Sequence, residues 1–308
     1  MDWRKKIDPD DNDSFCYPNI DLIQNMNNAI AYIEDNLYGE IDYSEVSKTA
    51  HCSLYHFQRF FSFIADVSLS DYIRRRRLTL AAFELQDSDP KVIDVALKYG
   101  YESPEAFARA FKNMHGVVPT AARNTGAKLK AYPRMTFRIS IKGDAEMNYR
   151  IEKKEASEMF GVDTQISTVD NQNFHAIPKF WETCRADGTM TRIRNAGALD
   201  THEPLHAAMY NCTDNSHAYM IGHFVPASGA PEGFFHLTVP ASTWAIFSTE
   251  ELSMADASQQ AAIMWKRIFS EWFATSGYEL ADAPELELHY RISDDRFVTE
   301  IWIPISKG

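Results

Sequence analysis

The stretch VIDVALKYGYESPEAFARAFKNMHGVVPTAAR (92–123) contains two short helical patterns separated by a glycine. Gly100 suits the turn between them, Ser103 can cap the second helix, and Pro104 fits its first helical position. Apolar residues recur at helical spacing in both patterns and predict an inward side made of Val92, Val95, Ala96, Leu97, Phe107 and Phe111. The stretch therefore predicts a helix-turn-helix unit.

The same pattern occurs earlier, in SEVSKTAHCSLYHFQRFF (44–61). Ser44 can cap a short helix and Ser53 can cap a second one. The second helix has an apolar side at helical spacing, formed by Phe57, Phe60, Phe61 and Ile64. A longer helix, capped by Ser70 and ending near Gln86, separates the two units. A generic helical bundle has no reason to repeat this arrangement, so the sequence predicts an all-α double helix-turn-helix domain.

Four consecutive arginines, 74–77, lie in the predicted long helix. Successive helical residues are about 100° apart, so these side chains cannot all contact one row of phosphates. We expect at most one or two of them to contact a nucleic-acid backbone. The others are expected to be solvated or to pair with Asp71 and Glu84. The run is therefore interpreted mainly as part of the scaffold.

Composition and charge separate the chain into two unlike parts. The 308 residues are enough for two domains, and the formal net charge is −12. Residues 44–130 carry 13 Lys and Arg against 9 Asp and Glu, a net charge of +4, so the remainder carries −16. This division favours an anionic partner for the basic part alone.

The sequence favours a location in the cytoplasm. It has no apolar run of the roughly 18 residues that a membrane span needs, and it begins with no apolar signal core. Its four cysteines show no CxxC spacing and are expected to be reduced, buried thiols. No membrane partner and no cofactor are predicted.

The N-terminal part resembles the AraC/XylS family of bacterial transcription regulators over about residues 18–124. The resemblance is carried by YIEDNL, SEVSKTAHCSLYHFQRFF, YIRRRRLTLAAFEL and VIDVALKYGYESPEAFARAFKNMHGVVPTAAR. In that family the second helix of each unit enters the DNA major groove, and the long middle helix fixes their separation. The resemblance implies double-stranded promoter DNA as a partner, with RNA polymerase as a further possible one.

The residues that match the family's DNA-facing positions are Tyr55, Gln58 and Arg59 in the first unit, and Glu105, Ala108, Arg109 and Lys112 in the second. Arginine and glutamine can read guanine and adenine edges, whereas Lys112 suits phosphate. Glu105 could accept a hydrogen bond from cytosine or could merely repel phosphate. Because Ala108 offers only a methyl contact, we expect the first unit to carry more of the specificity.

The C-terminal part shows a strand-helix-strand-strand pattern twice. The two copies register at an offset of 78 residues, which places YMIGHFVP (219–226) over FVTEIWIP (297–304). A repeat this long in an α+β pattern suggests two packed half-domains with a groove between them. The predicted organisation is a helical domain at 1–125, a linker at 126–134 and an α+β domain at 135–308. The predicted fold class is thus multidomain, α and α+β.

This half resembles the GyrI-like small-molecule-binding domain, through IPKFWETC, AYMIGHFVP, WKRIFSEWFATSGYEL and EIWIPI. The family's groove is lined by aromatic residues and contains a glutamate on the last strand, a position that Glu300 matches. The residues expected to bind ligand are Trp181, Tyr210, Phe224, Trp244, Glu300 and Trp302, although each aromatic residue could equally be core. A carboxylate among ring faces suits a cationic or amphipathic small molecule. Gly222 lies opposite Glu300 in the repeat, where a missing side chain is expected to leave room.

HEPLH (202–206) fits the HExxH zinc-protease pattern, but it does not predict a metal site. That chemistry needs both histidines one turn apart on a helix. Pro204 opposes such a helix, and the repeat makes this segment the start of a strand. A strand would separate His202 and His206 too far for one zinc ion.

These observations favour a DNA-binding transcription regulator that responds to a small molecule, and not an enzyme. Two other hypotheses stay open at this stage. Some GyrI-like proteins resemble hydrolases of strained electrophiles, in which Glu300 would assist attack by water, although no second acid or base is evident. A module that protects the cell by sequestering a drug is the other alternative.

Overall fold

The computed structural model describes residues 20–124, 126–138, 146–169, 172–213 and 216–307. The N-terminal part is helical, as the sequence predicts. Its helices are α1 (Ile20–Asp35), α2 (Tyr43–Ala50), α3 (Leu54–Ala65), α4 (Leu69–Asp87), α5 (Val92–Lys98) and α6 (Pro104–His115), followed by a 3₁₀ helix (Pro119–Arg123). Helices α2 and α3 form the first unit, α5 and α6 form the second, and α4 connects them.

Capping side chains set where these helices begin. Ser53 and Ser103 accept hydrogen bonds from backbone amides of α3 and α6, which confirms both predicted caps. The caps predicted at Ser44 and Ser70 are wrong by two residues each. Asp42 caps α2 by accepting from the Ser44 amide at 2.8 Å, and Ser68 caps α4 by accepting from the Asp71 amide at 3.1 Å.

The second unit has a compact aromatic core. Phe107 and Phe111 of α6 are fully buried against α5, where Val95 and Ala96 are also buried. The prediction that Leu97 belongs to this side is wrong, because its side chain is 57% exposed. Leu97 lies two residues after Val95, which is about 200° around the helix and thus on the opposite side.

The arginine run confirms the interpretation as scaffold. Arg76 is buried and donates two hydrogen bonds of 2.8 Å to the Glu34 carboxylate of α1. Arg77 donates to the Leu37 carbonyl at 3.1 Å, just beyond the end of α1. Asp71 pairs with Arg74 and Arg75, as predicted. Glu84 pairs with Lys98 and Tyr99 of the second unit instead of with an arginine.

The segment that leaves the second unit runs back along the first. The Asn27 side chain of α1 bonds both the amide and the carbonyl of Phe137, at 2.8 and 3.0 Å. The Phe137 ring contacts Phe61 of α3, with ring centroids 5.7 Å apart. The Tyr72 hydroxyl accepts a hydrogen bond from the Met135 amide. Residues 135–137 are thus anchored on the helical domain.

The C-terminal part is an antiparallel sheet with helices. Its strands are β1 (Tyr149–Lys154), β2 (Ser157–Ser167), β3 (His206–Tyr210), β4 (Ser216–Phe224), β5 (Phe235–Val239), β6 (Ser242–Ser248), β7 (Tyr278–Leu280), β8 (Glu285–Arg291) and β9 (Phe297–Lys307). Its helices are α7 (Asn173–Ala186), α8 (Thr189–Ala196), α9 (Met254–Arg267) and α10 (Phe273–Ser276), and a π-helical turn (Ile268–Trp272) joins the last two. The strand order is β1-β6-β9-β8-β3-β4-β2-β5, and β7 pairs with β9.

Each copy of the repeat contributes its first strand to the edge of the other copy. The sequence predicts one strand at the start of each copy, whereas the structure has two consecutive strands there, β1 and β2 in the first copy and β5 and β6 in the second. Strand β1 pairs with β6 of the other copy, and β5 pairs with β2. Pro240 lies between β5 and β6, where a residue without an amide proton interrupts the strand. Helix α8 lacks a counterpart in the predicted pattern.

The repeat itself is visible in the register. Gly222 in β4 pairs with β2 and β3, and Glu300 in β9 pairs with the corresponding β6 and β8. The expectation that Gly222 leaves room for a ligand is wrong. A Cβ atom at this position would lie 2.2 Å from the Phe160 carbonyl oxygen, so the glycine permits close approach of the strands β2 and β4.

Several further expectations concern single segments. His206 begins β3 and stacks on His223 with ring centroids 4.5 Å apart, so HEPLH is the predicted strand start. Cys184 is buried, but Cys52 is half-buried and Cys212 is exposed, and all three are free thiols. Cys16 lies outside the described residues. None of the helices in the described ranges is long and apolar enough to cross a membrane.

We predict that Arg76→Ala lowers the free energy of unfolding by about 3–5 kcal/mol, because the substitution leaves the Glu34 carboxylate buried without its cation. Burial favours a raised pKa for Glu34, yet hydrogen bonds from Arg76 and Tyr72 hold that pKa below its usual value. The matched control is Arg74→Ala, which removes an exposed ion pair and is expected to cost at most about 1 kcal/mol. Urea unfolding followed by circular dichroism measures both. Equal losses in the two variants would contradict a structural role of Arg76.

Candidate DNA-reading surfaces and effector cavity

The second unit presents its predicted DNA-reading face to solvent. Glu105, Arg109 and Lys112 are all exposed on α6, and Ala108 between them is half-exposed. Their spacing places them along one side of the helix, opposite the buried phenylalanines. This arrangement leaves the second unit free to approach a DNA groove, so the prediction for these residues remains open to test.

The first unit presents the equivalent face to the C-terminal domain instead. Tyr55 is only 4% exposed, Gln58 is half-buried, and the Arg59 side chain is largely buried. All three line a cavity whose opposite wall is formed by the sheet and by α7 and α9. Their predicted contact with DNA remains a prediction, and in this arrangement α3 has no free outer face.

Arg59 is the centre of this contact. Its guanidinium forms an ion pair with Glu285 at the start of β8, and the two side chains are only 10% and 7% exposed. The guanidinium carbon lies 4.8 Å from the ring centroid of Trp265 and 5.0 Å from that of Phe269. Aromatic faces at this distance attract a cation. We call Glu285, Trp265 and Phe269 the Arg59 cage.

Burial and charge oppose each other within this pair. Burial lowers the pKa of Arg59, but Glu285 and Tyr55 raise it above its ordinary value, so the guanidinium stays charged. Burial raises the pKa of the Glu285 carboxyl, and Arg59 opposes this rise without cancelling it. Arg59 also donates a hydrogen bond of 3.0 Å to the Tyr55 hydroxyl. Among the described residues, none gives the Glu285 Oε2 atom a well-aligned hydrogen bond.

Aromatic packing surrounds the ion pair. Phe60 of α3 contacts Phe269 edge-on at 4.9 Å and Phe273 at 5.7 Å between ring centroids. Phe63 stacks on Phe269 at 5.1 Å. Phe57 of the same helix faces its own domain and is fully buried. Helix α3 therefore lies between the two domains and has a buried side on each.

The cavity beside the Arg59 cage has a volume of about 820 Å³. Glu287 on its wall accepts a hydrogen bond of 3.1 Å from the Trp265 indole and lies 3.5 Å from the His289 imidazole. The Trp181 indole of α7 donates to the Tyr219 hydroxyl at 2.9 Å. The wall thus combines a carboxylate with aromatic surfaces that are already oriented by hydrogen bonds.

His217 is a further polar group of this wall. Its side chain is 2% exposed, and neither ring nitrogen has a hydrogen-bond partner among the described residues. Burial and the nearby Arg59 charge lower the pKa of His217 to about 3, so the ring is neutral at pH 7. A buried neutral imidazole without a partner can give a ligand one donor and one acceptor.

The predicted ligand-binding residues divide between two faces of the sheet. Trp181 lines the large cavity on the helical face. The other five lie on the opposite face, where the strand alternation predicted for 298–303 is confirmed: Tyr210, Phe224, Trp244, Glu300 and Trp302. There the Trp244 and Trp302 rings lie 5.7 Å apart beside a small cavity of about 220 Å³. These residues are therefore not assembled with Trp181 into one site.

Glu300 is already compensated by protein groups. Arg150 donates to both of its carboxylate oxygens, at 2.7 and 3.1 Å, and Ser248 and Trp302 donate as well. Burial favours a raised pKa for Glu300, but these hydrogen bonds, led by that from Arg150, hold it below its usual value. A carboxylate paired in this way has less to offer a ligand cation than Glu287.

The cavity residues that sequence reasoning missed include His217, Tyr219, Trp265, Glu287 and His289, and Glu285 of the Arg59 cage was missed as well. A signal for three of them was present in ELELH (285–289), where period-two alternation places Glu285, Glu287 and His289 on one face of a strand. No metal-binding group of His, Cys, Asp or Glu is found within the described ranges.

Comparison with known proteins assigns the chain to a family. The GyrI-like small molecule binding domain matches residues 147–306, and a helix-turn-helix domain matches residues 46–125. The transcriptional activator AarP of Providencia stuartii is 37% identical over 98 residues, which cover 32% of this chain and 73% of AarP. The chain belongs to the AraC-type regulators with a GyrI-like domain. The regulator binds DNA through its helical part and small molecules through its C-terminal part.

Two further matches are a curated relative and a solved structure. The multiple antibiotic resistance protein MarA of Escherichia coli is 36% identical over 100 residues, which cover 32% of the regulator and 79% of MarA. The solved structure of SAV2435 bound to tetraphenylphosphonium covers 52% of the regulator and 94% of that chain, with a TM-score of 0.42 and 17% identity. That resemblance is too distant to assign a ligand to the regulator.

We predict that Arg109 and Lys112 have different effects on DNA binding. Arg109→Ala is expected to cost about 1–3 kcal/mol at one base position and to relax sequence preference there. Lys112→Ala is expected to weaken binding evenly across sequences and to reduce the slope of log K against log salt concentration by about 1. Fluorescence anisotropy with single-base variants of a bound duplex, at several salt concentrations, measures both. Identical profiles for the two variants would contradict the assignment of Arg109 to base reading.

Proposed function

We propose that the regulator binds a small amphipathic cation in the cavity between its domains, and that occupancy of this cavity changes how the first unit engages promoter DNA. One observation carries the proposal: Gln58 and Arg59 of the first unit line the same cavity as Glu287 and Trp181 of the C-terminal domain. A ligand in this cavity contacts both domains at once. Its binding energy can therefore shift the position of one relative to the other.

The part of the wall around Glu287 supports a cationic ligand with an aromatic body, whereas Arg185 and Arg194 line another part of the same cavity. Glu287 supplies a negative charge in a partly desolvated setting, where charge-assisted hydrogen bonds are strong. Trp181 and Trp265 supply ring faces for stacking and for cation–π contact. A volume of about 820 Å³ lies within the range of drug-sized sites.

We propose that the regulator binds its effector without turnover, in the bacterial cytoplasm. Transcription is the output, and contact with RNA polymerase is part of the proposal because AarP is named a transcriptional activator. Specific DNA binding is tested by selecting duplexes from a randomised pool with the full chain, in the presence of 2-naphthamidinium. Failure to enrich any duplex over random sequence would overturn this part of the proposal.

We predict that 2-naphthamidinium binds the wild-type protein and that Glu287→Gln weakens this binding by about tenfold or more, since a hydrogen bond to a charged group contributes about 1.5–3 kcal/mol. The neutral analogue 2-naphthamide is expected to bind both proteins equally and weakly. Glu300→Gln is the matched control, because its carboxylate lies on the opposite sheet face and is paired with Arg150. Isothermal titration calorimetry measures all three proteins.

One pattern of affinities would contradict this placement of the ligand site. A loss of affinity in Glu300→Gln together with unchanged affinity in Glu287→Gln would move the site to the opposite face of the sheet. Mass spectrometry of the same mixtures tests the absence of turnover. A new product formed from reactive electrophiles in proportion to protein would contradict a purely binding role.

A further inference from the structure

We propose that Arg59 is an internal ligand of the C-terminal domain, and that a soluble planar cation displaces it from the Arg59 cage to free α3 for DNA. This inference rests on the proposed function and deepens it by naming the competing group. The ligand class is a delocalised planar cation, such as an amidinium or guanidinium, carried on an aromatic body. We call the arrangement in which Arg59 occupies its cage the closed state.

The Arg59 cage has the features of a cation site. The Glu285 carboxylate provides the charge, and the rings of Trp265 and Phe269 lie 4.8 and 5.0 Å from the guanidinium carbon. The Met209 sulfur lies 3.9 Å from the other terminal nitrogen. A planar cation from solution can make the same contacts, since none of them depends on the rest of the arginine side chain.

The closed state and DNA reading by the first unit exclude each other. Tyr55 and Arg59 occupy the helix side that the family resemblance assigns to DNA, and both are covered by the C-terminal domain. On α6, by contrast, Arg109 and Lys112 are exposed. The closed protein therefore engages DNA through its second unit, and the open protein engages DNA through both.

The contacts that hold the closed state can be replaced. Two buried charges lose hydration, and their mutual attraction offsets only part of that loss. This agrees with a Glu285 pKa that stays raised in spite of Arg59. At the rim, Lys266 of α9 pairs with Asp66 at 2.5 Å, but both side chains are well exposed and add little.

Glu287 gives an entering cation a place beside Arg59. It lies two residues after Glu285 on the same strand face, a separation of roughly 7 Å. A ligand cation held there repels the Arg59 guanidinium in a region shielded from water, where like charges interact strongly. The aromatic body of the ligand can at the same time cover ring surface that Phe63 of α3 covers in the closed state.

The test uses Glu285→Gln in the full chain, with the duplex enriched in the selection described above. This substitution removes the negative charge of the Arg59 cage and leaves every predicted DNA-contacting residue in place. Apparent affinity falls in proportion to the fraction of protein that is competent to bind. Taking the open state to be about a tenth populated in wild type, we expect the DNA affinity of Glu285→Gln to be about tenfold higher. The DNase footprint is expected to lengthen by about one helical turn, roughly 10 base pairs, as the first unit engages.

Two further variants separate this effect from loss of folding. Lys266→Glu places a negative charge against Asp66 at the exposed rim, so it weakens the closed state without disturbing a core, and it is expected to raise DNA affinity in the same direction. Glu300→Gln is expected to leave both affinity and footprint unchanged. A structural defect alone lowers DNA affinity, so a gain is a readout that damage does not produce.

The ligand arm adds 2-naphthamidinium to wild type and to Glu285→Gln. We expect the cation to raise the DNA affinity of wild type and to lengthen its footprint, and to change Glu285→Gln little. Neutral 2-naphthamide is expected to have no effect on either protein.

Unchanged or lower DNA affinity in both Glu285→Gln and Lys266→Glu overturns the inference. If calorimetry still shows cation binding that depends on Glu287, the proposed function stands while the role of Arg59 falls. If no cation binding is detected but both variants gain DNA affinity and footprint length, the closed state stands and the proposed effector class falls.

Discussion

The buried ion pair between Arg59 and Glu285 determines how the two domains of this regulator relate to each other. Neither charge is stable alone in its aromatic surroundings, so each requires the other or a substitute. Arg59 lies on the helix that the family uses to read DNA. The need of each buried charge for a partner therefore determines whether this DNA-reading surface is covered or free. The aromatic contacts of Phe60 and Phe63 add area around the pair, but area alone does not select a particular chemical group.

This constraint makes the two DNA-binding units unequal. Their sequences repeat the same pattern, and Ser53 and Ser103 cap corresponding helices in the same way. Their surroundings differ. Helix α3 is buried against its own domain on one side and against the C-terminal domain on the other, whereas α6 is buried on one side and exposed to solvent on the other. One copy of a duplicated motif can therefore be available to DNA at all times, while the other copy becomes available to DNA only when a ligand binds.

Local signals in the sequence were sufficient for much of the fold. The helix-turn-helix units, the scaffold role of the arginines and the strand at His206 depend on caps, spacing and turn residues that act over a few positions. The strand breaks after Lys154 and Val239 were missed, because each is only two residues long and the flanking residues on both sides are compatible with a continuous strand. The residue that caps a helix is also hard to predict where two capping residues, such as Ser68 and Ser70, lie close together, because the sequence pattern suits either of them.

The site was harder to predict for a physical reason. Both faces of the sheet are buried, so alternation along β9 separates Glu300 from Ile301 but does not say which face a ligand approaches. The partner of a charge is also invisible in the sequence. Arg150 lies 150 residues from Glu300, and Arg59 lies still further from Glu285. Docking of α3 on the C-terminal domain is a tertiary event that no local pattern records.

The most direct test of the central claim is a distance measured between the domains in solution. Spin labels at the exposed positions Asp87 and Asp282, in a chain whose native cysteines are replaced by serine, report this distance by pulsed dipolar spectroscopy. We expect one narrow distance distribution for the free protein, and a second, displaced distribution when cation and duplex are added together. A distribution that stays unchanged while the DNA footprint spans two grooves would contradict the central claim.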